Sequence, residues 1–130
     1  MTNETLELSE SDINFLVALH ASEEAGIQEL FTVLQDWKVP YDRTWLKLGE
    51  FYNDGLIIFF ARIGRPESLV DFTSEETSEF LTRRVIPQHW YTPCLGLTDK
   101  GWTRWQVDDW GVTTKRARFL TFTNSAKSRK

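Results

Sequence analysis

Apolar residues recur at helical spacing near the start of the chain. Ile13, Leu16, Val17 and His20 fall at positions i, i+3, i+4 and i+7, which places them on one face of an α-helix. Ser9–Asp12 supplies a hydroxyl and carboxylates, which favour the N-terminus of a helix. The first helix is therefore predicted to begin within that segment.

A second helix is predicted by the same kind of pattern. Ser22-Glu-Glu offers another capping and acidic start, and Pro40 forces the helix to stop shortly before it. The apolar face of this helix consists of Ile27, Leu30, Phe31 and Leu34.

The segment that follows fits either of two structures. Asp42 can cap a third helix over Tyr41–Tyr52, with Asn53-Asp54-Gly55 as its exit. Alternatively, 44–52 is a strand, and a hairpin turn at 53–55 joins it to a second strand over Leu56–Ile63. We favour the helix because of the order of elements along the chain. The run Leu56–Ala61 is apolar on both faces, so it predicts a covered strand in either case.

A capping box and a proline define the next two elements. Thr73-Ser-Glu-Glu76 pairs a capping hydroxyl with a glutamate three residues later, so a short helix is predicted from there to about Val85. His89–Leu97 predicts a strand, which Pro93 restricts to an edge or a bulge because proline lacks a backbone N–H.

The C-terminal third predicts one more helix and one more strand. Thr98 caps a helix whose apolar face carries Trp102 and Trp105. The segment 114–123 predicts a final strand, and 124–130 predicts a polar, basic tail.

The elements together predict one α+β domain, with helices followed by a small antiparallel sheet and a C-terminal helix. At 130 residues and 41% hydrophobic content, 1–130 reads as a single globular domain whose core spans about 9–123. The acidic start lacks the features of a signal peptide, and a cytoplasmic location is expected. The core is predicted to contain Ile13, Leu16, Val17, Ile27, Leu30, Phe31, Leu34, Ile57, Phe59 and Trp102.

Two short motifs carry a family resemblance. Gly55-Leu-Ile follows the predicted third helix, and Leu97-Thr-Asp-Lys-Gly101 joins the last strand of the predicted sheet to a helix. In these motifs and in element order, residues 9–108 resemble a winged-helix domain. The ending also resembles uncharacterised small bacterial proteins with a Leu-Thr-x-x-Gly-x-x-x-Trp pattern, matched here by Leu97–Trp105 and by Asp109-Trp110. The resemblance implies that the third helix is the one that enters the DNA major groove in regulators.

Charge is distributed unevenly along the chain. The net charge is −8 over 1–37, −3 over 38–82 and +7 over 83–130, against a total of −4. The acidic helices are expected either to be solvated or to pack against the basic part. The third helix carries a net charge of −1 over 41–54, which disfavours binding to DNA phosphates. A DNA-binding regulator, the alternative function, would use Arg43, Thr44, Lys47, Lys115, Arg116 and Arg118.

Little in the sequence indicates catalysis. His20 lies on an apolar helix face, where a hydrogen-bonded core histidine is expected. His89 and Cys94 are five residues apart, which places them on opposite faces of a strand. No phosphate-binding, nucleophile-elbow or metal-ligand motif is present in the sequence, so we expect a protein that is not an enzyme and binds no cofactor or metal.

Tryptophan is the most informative residue type, because it is enriched at binding hot spots. Four aromatic residues near element ends or in the predicted strand are the candidates for a partner-binding surface: Trp37, Trp90, Tyr91 and Trp110. The expected function is binding of a macromolecular partner, preferably a protein, and an immunity or antitoxin protein belongs to this class. No membrane association is expected.

Overall fold

In the computed structural model, residues 7–63, 68–85, 91–107 and 109–128 are described, with the side chains of 91 and 122–128 excepted. The elements are α1 (Glu10–Ser22), α2 (Ile27–Asp36), α3 (Tyr41–Asn53), β1 (Ile57–Ile63), β2 (Ser68–Asp71), α4 (Ser74–Arg83), β3 (Tyr91–Leu97), α5 (Asp99–Gln106) and α6 (Thr114–Ser128). The fold is therefore α+β, and the helical prediction for Tyr41–Tyr52 is confirmed. The hairpin alternative over that segment is wrong.

Hydroxyl side chains begin three of the helices, as the sequence predicts. Ser9 and Asp12 form a reciprocal capping box: Asp12 N–H donates to Ser9 Oγ over 3.1 Å, and Ser9 N–H donates to the Asp12 carboxylate over 2.9 Å. Thr73 and Glu76 form the same arrangement at α4. The Thr98 hydroxyl accepts the Gly101 N–H over 2.9 Å at the start of α5.

The predicted start of the second helix is wrong by several residues. The Ser22 hydroxyl donates to the Leu19 carbonyl over 2.6 Å, so it lies at the end of α1 and does not cap the next helix. Helix α2 begins at Ile27, after Gly26. Asp42 likewise does not cap α3, whose N-cap is Pro40.

The described strands form one antiparallel sheet in the order β2-β1-β3. In its register, Phe59 of β1 lies opposite Leu95 of β3. The segment between α1 and α2 touches the other edge of β3, where Gly26 bridges Cys94. Strand β3 is thus an outer strand of the sheet, in keeping with the position of Pro93 within it.

The core prediction holds for all its members except Trp102, which is 41% exposed. Helix α5 packs through Gly101, where an added Cβ would lie 2.1 Å from the Leu56 carbonyl oxygen. Four residues further on, Trp105 stacks on Phe15 with ring centroids 5.7 Å apart. Because Gly101 and Trp105 occupy the inward face of α5, Trp102 points outward.

The predicted C-terminal strand at 114–123 is wrong, because Thr114–Ser128 forms helix α6. Arg116, Phe119 and Leu120 are spaced i, i+3 and i+4, and Leu120 is fully buried. That helical spacing outweighs the β-propensity of the phenylalanines. Most of the predicted basic tail, 124–128, therefore belongs to α6, and 129–130 lie outside the described residues.

Candidate functional site

Helix α3 is the element that the winged-helix resemblance identifies as functional, and it presents one face outward. At 100° per residue, five positions fall on the side opposite its buried face. These positions, called here the α3 outer face, are Asp42, Leu46, Gly49, Glu50 and Asn53. Leu46 is 57% exposed, and a Cβ added at Gly49 would meet nothing within 4 Å. The outer face is therefore open to solvent.

One flank of α3 is neutralised by α1. The Glu10 carboxylate accepts hydrogen bonds from both Arg43 and Lys47. Lys47 also donates to Glu50 over 2.9 Å. The cations on this flank are therefore already paired with carboxylates of the same chain.

These ion pairs change two pKa values. Burial lowers the pKa of the Lys47 ammonium, but its hydrogen bonds to Glu10 and Glu50 outweigh burial and leave the pKa above its ordinary 10.5. The hydrogen bonds from Lys47 and Arg43 hold the pKa of Glu10 below its ordinary 4.5. Lys47 therefore stays charged, and its side chain is only 6% exposed.

The other flank of α3 contacts α4. Arg84, directly after α4, donates to the Asp42 carboxylate over 3.3 Å. Trp45 packs edge-on against Phe80 of α4, with ring centroids 5.2 Å apart. Glu10 on one side and Arg84 on the other thus frame the α3 outer face.

The residues predicted to contact DNA from α3 are not available as a free basic surface. Thr44 is 1% exposed, and its hydroxyl bonds to the Pro40 carbonyl within α3. Lys47 is buried, and Arg43 is ion-paired with Glu10. The helix turns Thr44 toward the core because it lies beside Trp45 and Leu48, so the predicted exposure of Thr44 and Lys47 is wrong. Arg43, whose side chain is 44% exposed, stays a predicted contact of the alternative function.

The cations of α6 that were predicted to contact DNA lie in different surroundings: one is ion-paired and nearly buried, and two are exposed. Arg116 is held by Asp12 of α1 over 2.8 Å, and the two side chains are 11% and 6% exposed. Burial raises the pKa of Asp12, but the hydrogen bonds from Arg116 and Ser9 outweigh it and leave the pKa below its ordinary 3.8. Lys115 and Arg118 are exposed. The acidic start of the chain thus packs against its basic end at this pair.

The predicted exposure of Trp37 is wrong. Trp37 is 3% exposed and contacts Phe119, with ring centroids 5.7 Å apart, because the unpredicted helix α6 covers it. Trp110 is half-buried, with the Arg104 guanidinium carbon 3.9 Å from its ring centroid. Tyr91 is the first residue of β3, and Trp90 lies outside the described residues.

Two of the exposed apolar side chains differ from the sequence predictions: Leu46 was not among the candidates, and Trp102 was expected in the core. A helical wheel of α3 centred on Trp45 and Leu48 would have placed Leu46 outside. A comparable signal for Trp102 is its neighbour Gly101. A glycine permits close backbone approach, so it marks the face of α5 that packs on the protein, and Trp102 lies off that face. Both residues are therefore added to the candidate surface residues.

The histidine and the cysteine that the structure describes lie within the fold. The His20 ring Nδ1 is 2.7 Å from the Leu16 carbonyl oxygen, which fits the hydrogen-bonded core role expected for it. Cys94 is fully buried, and His89 falls outside the described residues. In the part of the chain that can be described, no three His, Cys, Asp or Glu side chains group as metal ligands would.

Comparison with known proteins adds no relative from which a role could be carried over. Among the residues that the structure describes, no helix combines the length and the apolar character needed to cross a membrane. The function is therefore inferred from the α3 outer face and the charges that frame it. No protein-family model matches the chain, and neither curated proteins nor solved structures give a match.

Proposed function

We propose that this chain is a non-catalytic protein that acts by binding a macromolecular partner, and that the partner is a protein. One observation carries the proposal: the α3 outer face exposes carboxylates and Leu46, while Arg43 and Lys47 are held against Glu10. Phosphate attraction supplies most of the non-specific affinity for nucleic acid, and a face whose neighbouring cations are already paired with carboxylates offers little of it. An apolar side chain among carboxylates suits a protein surface better.

The winged-helix assignment is part of the proposal. It is supported by three helices followed by β1, a long connection and β3, with Gly26 bridging Cys94 between the first two helices. The Thr98 hydroxyl donates to the Gly55 carbonyl over 2.5 Å, which ties the end of β3 to the exit of α3. In this assignment α3 occupies the place of a recognition helix but carries the charge of a protein-binding one. An immunity or antitoxin protein that masks a basic enzyme fits this description.

A fluorescence-anisotropy titration against random and genomic DNA duplexes tests the choice of partner. At ~150 mM salt, where the Debye length is about 8 Å, we expect no sub-micromolar binding. The variant Glu10→Gln releases Arg43 and leaves Lys47 paired with Glu50, so it shows what one free cation on α3 would do. Sub-micromolar, sequence-selective binding by the wild type, abolished by Arg43→Ala, would establish the regulator instead.

Affinity capture from cell extract supplies the positive test. We expect a protein that is retained by the wild type and lost with Leu46→Arg, because the substitution places a charge in the middle of the α3 outer face. Thr32→Arg, on the exposed side of α2, adds the same charge elsewhere and should retain the protein. Equal retention by all three chains would contradict binding through α3.

A further inference from the structure

We infer that the outer edge of strand β2, called here the β2 edge (Ser68–Asp71), binds an extended, lysine- or arginine-rich segment of a partner protein, which adds a strand to the sheet. No residue of this edge belongs to α3, so the inference goes beyond the proposed function and stands independently of it.

The two edges of the described sheet differ. At the edge formed by β3, the Leu95 N–H donates to the Ala25 carbonyl over 3.1 Å, so the segment between α1 and α2 closes part of that edge. Strand β2 lies at the other end of the order β2-β1-β3, and its whole length is exposed. Its sequence contains neither the lysine nor the proline that often protects such an edge. The β2 edge is therefore open to a further strand.

The register shows which backbone groups face that opening. The Phe72 N–H donates to the Phe59 carbonyl over 2.9 Å, which makes these two residues a hydrogen-bonded pair of the ladder. Hydrogen-bonded and non-hydrogen-bonded pairs alternate in an antiparallel sheet. Val70 therefore bonds to β1, whereas Leu69 and Asp71 direct their N–H and C=O groups away from it. These are the groups that an added strand would bond.

Two apolar side chains flank these backbone groups, one on each face of the sheet. Val70 lies on the same face as Phe72, whose ring centroid is 5.6 Å from that of Phe80. Leu69 lies on the opposite face, and the two side chains are 57% (Leu69) and 49% (Val70) exposed. A strand paired with β2 would cover both side chains, which adds apolar burial to the backbone bonds.

Carboxylates without an ion pair define the charge of the occupant. Residues 68–80 contain four carboxylates and no lysine or arginine. Glu79 pairs with Arg83, but Asp71 and Glu75 are exposed and form no ion pair with any described residue. The β2 edge and the start of α4 therefore carry negative charge that is complementary to a basic segment.

The same charge disfavours a second copy of this chain as the occupant. Arg62 lies opposite Leu69 in the register, but its guanidinium donates to the Glu24 carbonyl over 3.0 Å and does not pair with Asp71. A second β2 edge would thus bring like charges together, which is destabilising between paired strands.

The test measures binding of a synthetic peptide that alternates lysine with valine to the full chain, by fluorescence anisotropy at ~150 mM salt. We expect saturable binding that is at least about tenfold tighter than that of a peptide alternating glutamate with valine. A lysine-valine peptide methylated at every backbone nitrogen should also bind at least about tenfold more weakly, because it can donate no backbone hydrogen bond.

Variants of the chain test the backbone groups and the charges separately. Leu69→Pro removes an N–H that faces the opening and leaves the ladder with β1 intact, so it should weaken binding of the lysine-valine peptide by at least about tenfold. Asp71→Lys with Glu75→Lys should reverse the preference between the lysine and glutamate peptides. The matched control, Glu29→Lys with Asp36→Lys on exposed positions of α2, changes the net charge equally and should keep the affinity within about twofold.

Amide hydrogen exchange locates the peptide, and thermal melts show that each variant is folded. The amides of Leu69 and Asp71 should exchange rapidly in the free protein and become protected when the lysine-valine peptide binds. The Val70 amide should be protected in both states, because it already bonds to β1. Protection that appears elsewhere and not at these two amides would overturn the inference.

The other outcomes separate this inference from the proposed function. Equal binding of the lysine and glutamate peptides, or binding that survives backbone methylation, would overturn strand addition by a basic segment. Concentration-dependent self-association in sedimentation that Leu69→Pro abolishes would identify a second copy as the occupant instead. Leu46→Arg should leave peptide affinity within about twofold of wild type, since it lies on α3, so loss of either binding activity leaves the other testable.

Discussion

The ion pair between Asp12 and Arg116 provides the sharpest test of how the fold is held together. It joins α1 to α6, and both side chains are almost entirely removed from water. The substitution Asp12→Asn keeps the shape of the side chain and an acceptor for the Ser9 N–H. It removes the negative charge, so the nearly buried Arg116 guanidinium loses its ion pair with Asp12.

The expected cost follows from that burial. Removing one partner of a buried ion pair costs about 3–5 kcal/mol, because the remaining charge stays desolvated. Arg116 keeps a bond to the Glu7 carbonyl at 3.2 Å and lies 5.2 Å from the centroid of the Phe119 ring, which places the loss at the lower end. We expect Asp12→Asn to lower the free energy of unfolding by about 3 kcal/mol, or the melting temperature by roughly 12 °C.

A double-mutant cycle in urea measures the pair directly. Arg116→Met alone should also destabilise, because Asp12 then becomes the uncompensated charge. The two substitutions together should return to within about 1 kcal/mol of wild type, since replacing both partners of a buried pair is often neutral. Thr73→Ala is the control: it removes the cap of α4 at a cost of about 1 kcal/mol and should add to Arg116→Met without coupling.

Two results would refute this reasoning. If Asp12→Asn lowers the free energy of unfolding by less than about 1 kcal/mol, Arg116 is compensated by other groups. The ion pair then contributes no more than a solvent-exposed one. Additive effects in the double variant would mean that each residue acts alone, Asp12 as part of the capping box and Arg116 through its packing on Phe119.

The remaining predictions concern the core, two glycines and acid stability. Leu30→Ala removes a fully buried side chain and should lower the free energy of unfolding by roughly 2–5 kcal/mol in denaturant melts. An unchanged free energy of unfolding would mean that Leu30 does not lie on the buried face of α2. Gly101→Ala should destabilise strongly, because its Cβ would lie 2.1 Å from a backbone oxygen, while Gly49→Ala should stabilise α3 by about 1 kcal/mol. Folding lowers the pKa of Glu10 and Asp12, so their contribution to stability is complete above about pH 5 and is lost as pH falls through the folded-state values. Urea melts from neutral to acidic pH should therefore show a decline that is shallower in Glu10→Gln and in Asp12→Asn.

Sequence patterns predicted the parts of the fold that depend on near neighbours. The caps at Ser9, Thr73 and Thr98 are contacts over three residues, so the sequence alone contains both partners. The start of α2 was misplaced because Ser22 has a second local option, donating back to the Leu19 carbonyl. At 114–123 the phenylalanines favour a strand, but the helical spacing of Arg116, Phe119 and Leu120 prevails in α6.

The candidate site was less accessible to sequence reasoning because its contacts are distant along the chain. Lys47 meets Glu10 across 37 residues, and Arg84 meets Asp42 across 42. The net charge of the third helix disfavours DNA binding. The sequence near that helix, however, does not show which carboxylate pairs with which cation. Trp37 illustrates the same limit, since the ring that covers it belongs to a helix far downstream.

The contact between α1 and α6 also has a consequence for the order in which the protein assembles. Asp12 and Arg116 are separated by 104 residues, so during synthesis the first helix is made long before the cation that neutralises it. Until then, burying the Asp12 carboxylate is costly, and α1 is held by its apolar contacts and by the ion pairs of Glu10 with α3. A product that stops short of Arg116 therefore leaves α1 loosely attached, and incomplete chains with exposed apolar surface are the ones that proteases and chaperones engage. Helix α6 thus completes the attachment of α1 to the rest of the fold.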